Sequence, residues 1–216
     1  MENHYVRRLL RLVLGMIVSA AGIVMMLQAN IGLEPWSVLQ QGLKKTCGMT
    51  FGFASIIVGA AVMLTAVLCG ESFGFGTIIN IVLCGVLIDL LVALNWIPQM
   101  QHLWSGTLLL LGGMELLTLG TWMYMRSALG TGPRDALMVA LARKTGKSVG
   151  VCRISVEVLV IIAGFALGGQ VGLGTVIAAL GLGSLFNLNF CFLHFHAAEV
   201  RQENISETLR RLRGKP

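Results

Sequence analysis

The sequence predicts an all-α membrane protein with six membrane-spanning helices, arranged as two inverted three-helix repeats. Its composition, the length of its apolar runs and an internal repeat lead to this prediction. Of its 216 residues, 56% are hydrophobic and only 12% are charged, and the mean hydropathy is +0.81. A soluble domain carries about 25% charged residues because its surface faces water. Lipid is therefore the expected solvent for most of this chain.

Six apolar stretches are long enough to cross a bilayer, whose ~30 Å hydrocarbon core takes roughly 20 helical residues. Lipid offers no hydrogen-bond partner to the backbone, so these stretches are expected to be helices. The predicted spans are Leu9–Gln28, Gly52–Cys69, Phe75–Asn95, Leu103–Met125, Val149–Leu167 and Gly174–His194.

The chain contains an internal repeat. Compared with itself at an offset of 98 residues, it aligns without a gap from Leu10 to Leu90 with 23 identities, where composition alone would give roughly 7. The first span therefore corresponds to an internal helix and is not a cleaved signal peptide. The predicted boundaries are residues 1–100 for the first repeat, 101–197 for the second and 198–216 for a basic cytoplasmic tail.

Repeat parity and charge agree on the topology. Each repeat has three spans, so the second copy should cross the membrane in the opposite orientation to the first. With the N-terminus in the cytoplasm, 14 lysines and arginines fall on the cytoplasmic side and only Lys44 and Lys45 fall outside, as the positive-inside rule requires. Both termini are expected in the cytoplasm. The net charge of +6 lies between spans, so no nucleic-acid partner is expected.

Two short motifs occur once in each copy. A Gly-x-x-Pro element precedes about ten helix-compatible residues, roughly 15 Å of helix at 1.5 Å per residue, and proline suits a first helical turn. A Gly-Thr pair marks the turn before the last span of each copy. The residues of these motifs are Gly32, Pro35, Gly130 and Pro133 for the first, and Gly76, Thr77, Gly174 and Thr175 for the second.

The short helix after each Gly-x-x-Pro element has two interpretations. It is either a re-entrant half-helix whose N-terminus points at a solute near the midplane, or an amphipathic helix lying flat in the interface. In the first copy, Trp36 and Leu39 on one face and Gln40 opposite fit the flat interpretation. The second copy is apolar nearly all round and fits burial better.

Ionisable residues in the spans are candidates for function, because a charge at the bilayer centre costs about 2.5–3.5 kcal/mol. Glu115 and Glu157 lie near the middle of the fourth and fifth spans and are the predicted coupling carboxylates, since burial raises a carboxyl pKa. An alternative is that Arg126 and Arg153 pair with carboxylates for structure alone. Further substrate-binding or coupling candidates are Glu34, Trp36, Ser37, Asp89, Arg134 and Asp135.

The run Gly-Leu-Glu-Pro-Trp-Ser-Val-Leu from Gly32, the Gly48–Gly52 pair, the Gly-x-Gly-Thr turn and the Asp89 helix resemble the YczE/YyaS/YitT group of bacterial integral membrane proteins. The resemblance extends from about Gly15 to Asn187. It implies a helical fold in the bacterial plasma membrane. It supplies no reaction, substrate or catalytic residue.

The expected function is that of a small-solute or ion transporter with a site at the interface of the two repeats. The sequence has no nucleophile, zinc or phosphate-loop motif, so no enzyme activity, metal or cofactor is expected. The expected partners are the lipid bilayer, an unknown small solute and a second copy of the chain in a homodimer. The rival is a membrane-embedded regulatory or accessory protein that recruits a cytoplasmic partner through Arg143, Lys144, Lys147 and the tail.

Overall fold

The computed structural model describes residues 2–130, 132–195, 200 and 203, and these residues form eight helices. The expected basic tail lies almost wholly outside the described residues. The helices are α1 (Glu2–Gln28), α2 (Pro35–Cys47), α3 (Phe51–Leu68), α4 (Phe75–Leu94), α5 (Leu103–Met125), α6 (Pro133–Thr145), α7 (Val149–Ala166) and α8 (Leu173–Phe192).

The six long helices are the six predicted spans. Within the described residues, α1, α3, α4, α5, α7 and α8 are long and apolar enough to cross a membrane, and their ends fall within a few residues of the predicted ones. The chain therefore has the all-α, multi-span architecture that its apolar runs predict. Many large apolar side chains on the outer faces of these helices are exposed, as lipid contact requires.

The helix boundaries repeat along the chain. The helices α2, α3 and α4 begin and end at positions that lie 98 residues before those of α6, α7 and α8. The short helices also end in the same way, because Gly48 after α2 and Gly146 after α6 both adopt the left-handed conformation with φ of 68° and 70°. The spacing of the sequence repeat is therefore also the spacing of the helices.

The first helices of the two copies, α1 and α5, pack against each other through small residues. A side-chain carbon on Gly22 would lie only 2.6 Å from the carbonyl oxygen of Gly113, so the backbones approach more closely than any larger residue allows. Partner numbers fall along α5 as they rise along α1, and the two helices therefore run antiparallel. The approaches are Gly15 with Gly120, Gly22 with Gly113, and Ala29 with Gly106.

The remaining helices exchange partners between the copies. The short helix α2 packs on α7, and the short helix α6 packs on α3. At their C-terminal ends, the Lys45 ammonium donates to the Gly168 carbonyl at 2.8 Å, and the Arg143 guanidinium pairs with Glu71 at 2.9 Å. Each short helix is thus held by a long helix of the other copy.

The two repeated motifs contact each other across the copies. The Gly174 amide donates to the Ile31 carbonyl at 2.8 Å, and the Gly76 amide donates to the Leu129 carbonyl at 2.9 Å. Next to these bonds, Gly32 and Gly130 have φ of 119° and 143°, values that L side chains rarely adopt. Glycine is needed at both positions because a side chain would also collide with the facing Gly-Thr turn.

The α1–α5 contact predicts a difference between two Gly→Ala substitutions. Gly22→Ala should destabilise the protein by about 1–3 kcal/mol, because the added methyl group overpacks a backbone contact. Gly150→Ala, in a helix with open space around the glycine, should be neutral or stabilise by about 0.5–1 kcal/mol. Thermal unfolding of both variants in detergent tests this, and equal melting temperatures would contradict the packing described.

Candidate functional site

A cavity of about 560 Å³ lies at the centre of the bundle, and every one of the eight helices contributes lining residues. Cavities of about 300–1,000 Å³ are typical of small-molecule sites. The α1 wall includes Ser19, whose hydroxyl is buried without a hydrogen-bond partner in the described residues. Its apolar wall includes Met16, Ile23, Val58, Val62, Ile81 and Leu182.

The N-terminal ends of α2 and α6 face the cavity. Glu34, Pro35 and Trp36 line it from one helix, and Gly132 to Asp135 line it from the other. Neither helix start has a side-chain cap, which leaves its first amides and its positive dipole end directed towards the cavity. The C-terminal residues of both helices are exposed. Both short helices therefore run from the cavity to the surface.

Glu34, Trp36, Ser37 and Arg134 form one polar cluster. The buried Glu34 carboxylate accepts a hydrogen bond from the Ser37 hydroxyl at 3.0 Å and pairs with the Arg134 guanidinium at 3.1 Å. The guanidinium also lies over the Trp36 ring, with its central carbon 5.0 Å from the ring centroid. Four of the predicted site residues are thus in mutual contact. The cluster joins the two copies across the cavity.

Arg153 and Glu157 form a second charged pair in the wall. The Arg153 Nε donates to Glu157 at 2.9 Å, one turn along α7. The Arg153 guanidinium also lies 6.0 Å from the centroid of the Phe186 ring on α8. The predicted site residue Glu157 therefore lies in the cavity, paired with an arginine that sequence analysis had considered mainly as a structural partner.

Asp135 is the third carboxylate of the lining. It lies in the first turn of α6, near the Tyr124 hydroxyl, and both groups flank Gly132. Burial raises the pKa of the Asp135 carboxyl, while the positive charges of Arg153 and Arg134 act in the opposite direction. Asp135 can therefore bind and release a proton more readily near neutral pH than an exposed aspartate.

Two of the predicted site residues lie outside the cavity. The Glu115 carboxylate accepts from the Asn189 amide at 3.0 Å, and this amide also donates to the Thr118 hydroxyl. Asp89 accepts from the Gly52 amide at 2.7 Å and from the Thr50 hydroxyl. Glu115 thus joins α5 to α8, and Asp89 joins the start of α3 to α4. Neither lines the cavity wall.

The two copies differ at the seam between their last two helices. In the first copy, α3 packs closely on α4, with Gly52 against Gly85 and with Asp89 bonded to the first turn of α3. In the second copy, the equivalent glycines Gly150 and Gly183 have open space beside them. Among the described residues, α7 and α8 share little direct packing.

The cavity reaches the surface at this open seam. Ser184 and Asn187 on α8 line the cavity and are also exposed. Asn187 occupies the position that Asp89 occupies in the first copy, but the start of α7 is too far away for the equivalent bond. One seam is therefore closed and capped, and the other is open.

Several lining residues were not among the sequence candidates. Gln40 had been placed on the polar face of a flat helix; it is only 2% exposed, and its amide donates to the Ser55 hydroxyl at 3.3 Å. A polar side chain buried in this way does not fit a helix lying flat in the interface. Tyr124 and Ser19 gave no signal, because single hydroxyl groups are common in packed membrane helices.

Six apolar spans around a polar cavity define a multi-pass membrane protein. The chain belongs to a family of unknown function (DUF6198), whose model matches residues 6–189. This match covers most of the chain.

The relatives of this chain agree with the resemblance described above. It is 30% identical to the uncharacterized membrane protein YczE of Bacillus subtilis, over 81% of each chain. It is 24% identical to the uncharacterized protein YyaS of the same organism, over 81% of this chain and 88% of the relative. An uncharacterized protein of Haemophilus influenzae is 36% identical over 73% of this chain and 71% of the relative. No solved structure matches.

The two carboxylate–arginine pairs should differ in their contribution to stability. Glu34→Gln should cost about 1.5–3 kcal/mol, because a buried charged acceptor loses its bonds to Ser37 and Arg134. Glu157→Gln should cost less than about 1 kcal/mol, because its partner Arg153 is 40% exposed. Thermal unfolding of the two variants side by side checks the order, and the reverse order would contradict this description of the cluster.

Proposed function

We propose that this protein is a small-solute transporter, built from two inverted copies of one three-helix unit, with its binding site in the central cavity. The single observation that supports this most strongly is that both short helices begin at the same polar cavity, one from each copy. Inverted-repeat transporters place discontinuous helices in this way, with the binding site at the repeat interface.

The inversion is inferred from the packing of equivalent helices. The helices α1 and α5 occupy the same place in the two copies, and the approaches of Gly15 to Gly120 and Gly22 to Gly113 make them antiparallel. The reciprocal bonds from Gly76 to Leu129 and from Gly174 to Ile31 relate the copies in the same sense. A two-fold axis in the membrane plane, passing near the middle of α1, accounts for both observations.

The short helices are re-entrant in this proposal. Their N-terminal ends lie at the same cavity as Ser19, near the middle of α1, and their C-terminal ends are exposed. A 13-residue helix spans about 20 Å at 1.5 Å per residue. That length takes the chain from near the bilayer midplane to its surface.

The unequal seams support alternating access. In the state described, the first copy is closed between α3 and α4 and the second is open between α7 and α8. Because the copies share one architecture, exchanging these arrangements would close α7 on α8 and separate α3 from α4. The cavity would then open to the opposite side of the membrane. Each seam acts as one gate.

The charge distribution gives the proposed orientation. The open seam includes the start of α7, which directly follows the basic segment of Arg143, Lys144 and Lys147. The positive-inside rule places such segments in the cytoplasm. Both termini are then cytoplasmic, and the state described is open to the inside.

Alternating access is testable without knowing the solute. The five native cysteines are replaced, and one reporter cysteine is introduced by Ser55→Cys in the cavity wall. We expect a membrane-impermeant thiol reagent to label this cysteine both in right-side-out and in inside-out vesicles. In the background Gly183→Val, the added side chain should prevent α7 from closing on α8, so labelling from the outside is lost and labelling from the inside is kept.

A matched substitution controls for the effect of a new valine on α8. Leu180→Val lies on the exposed side of the same helix, where Leu180 is 75% exposed, and should leave both labelling patterns unchanged. Labelling from one side only in the absence of Gly183→Val, or a Gly183→Val variant still labelled from both sides, would contradict the proposal.

The rival accessory role depends on the basic loop and the tail. Arg143 is engaged by Glu71 within the fold, which gives it a structural role already. The polar cavity also has no use in a protein that only recruits a partner. The transporter proposal therefore accounts for more of the molecule.

A further inference from the structure

The cavity contains two arginines held in the same way. Arg134 is bonded to Glu34 and lies over Trp36, while Arg153 is bonded to Glu157 and lies over Phe186. In each case a carboxylate holds one edge of the guanidinium and an aromatic ring lies against its face. Such contacts fix a long flexible side chain in one orientation.

Each guanidinium keeps donors free for a ligand. A guanidinium carries five N–H donors, and among the described residues Arg134 and Arg153 each donate one hydrogen bond, to Glu34 and Glu157 respectively. Their side chains remain 33% and 40% exposed, and both line the cavity. The two arginines are therefore prearranged donors at the wall of an otherwise enclosed site.

The electrostatics of the lining favour an anion. Glu34 and Glu157 are each neutralised by an arginine within 3.1 Å and 2.9 Å. The two uncapped helix starts add a positive potential of about half a unit charge each. The buried Ser19 hydroxyl, without a partner in the described residues, supplies one more donor. Asp135 is the carboxylate that remains unneutralised.

We propose that the cavity binds a small organic carboxylate, with Arg134 and Arg153 holding its carboxylate group and Asp135 protonated in the bound state. The planar fork of a guanidinium matches the geometry of a carboxylate. The apolar wall receives the organic part of the solute. This inference rests on the proposed function, because it names the solute of the same site.

The proton follows from the charge balance around Asp135. Since burial raises its pKa, lowering the pH neutralises Asp135 first and removes the repulsion of a bound anion. Carboxylate binding should therefore strengthen as the pH falls and weaken as it rises. The charged or titratable groups that share the cavity with Asp135 are Glu34, Cys84, Tyr124, Arg134, Arg153 and Glu157.

The test measures binding by thermal stabilisation of the full-length protein in detergent. The probes are carboxylates from acetate to succinate and benzoate, set against phosphate esters and primary ammonium compounds with the same organic parts. At least one carboxylate should raise the melting temperature more than its phosphate and ammonium counterparts. Stabilisation by the ammonium compounds alone, by the phosphate esters alone, or by no probe would overturn the proposal.

Matched arginine variants locate the binding. Arg153→Gln should weaken carboxylate affinity about tenfold or more, since it removes a charged fork from the ligand. Arg153→Lys should fall between the two, because the charge stays and the fork is lost. Arg143→Gln, which removes an arginine paired outside the cavity, should bind as the unmodified protein does. Equal affinities for all four proteins would overturn the assignment.

The variant Asp135→Asn tests the proton. Its carboxylate affinity should no longer depend on pH, and at alkaline pH it should exceed that of the unmodified protein. An unchanged pH dependence would remove Asp135 from the proposal. Labelling of the Ser55→Cys reporter is independent of the solute, so two-sided labelling without carboxylate binding would refute the solute class and leave the transporter proposal standing. Carboxylate binding with one-sided labelling would have the opposite meaning.

Discussion

The close contact between α1 and α5 is the constraint on which the rest of this architecture depends. Glycines at the crossing let two apolar helices approach until their backbones touch, which replaces the hydrophobic drive that lipid does not supply. This contact sets the two copies antiparallel. It also places the remaining helices around a common centre, where packing leaves a cavity. The repeated glycines of the sequence are therefore concentrated where the copies meet.

The two copies share a backbone arrangement but not a chemistry. Trp36 and Ser37 in the first copy correspond to Arg134 and Asp135 in the second, and Ser55 and Gly59 correspond to Arg153 and Glu157. Most of the charge in the cavity therefore comes from one copy. A symmetric frame with an asymmetric lining is what a transporter needs, because both gates can use one movement while the solute meets one set of ligands.

The sequence was sufficient for the six spans, the short helices and the spacing between copies, because hydropathy, proline and glycine act locally. It also indicated the cluster of Glu34, Trp36, Ser37 and Arg134. It could not indicate that Glu115 and Asp89 lie outside the cavity, because a mid-span carboxylate looks the same whether it faces a solute or an asparagine on a neighbouring helix. The open seam was equally hidden, since Gly150 and Gly183 repeat Gly52 and Gly85 in sequence but not in packing.

The inverted orientation of the two copies is the central claim, and the side of the membrane on which each copy ends tests it most directly. One peptide tag is inserted in the full-length protein after Asn95, between the copies, and another is placed at the C-terminus. The account predicts that antibody reaches the first tag in intact cells and reaches the second only after the membrane is opened. Both tags on the same side would show that the copies are parallel, and the shared cavity would lose its explanation.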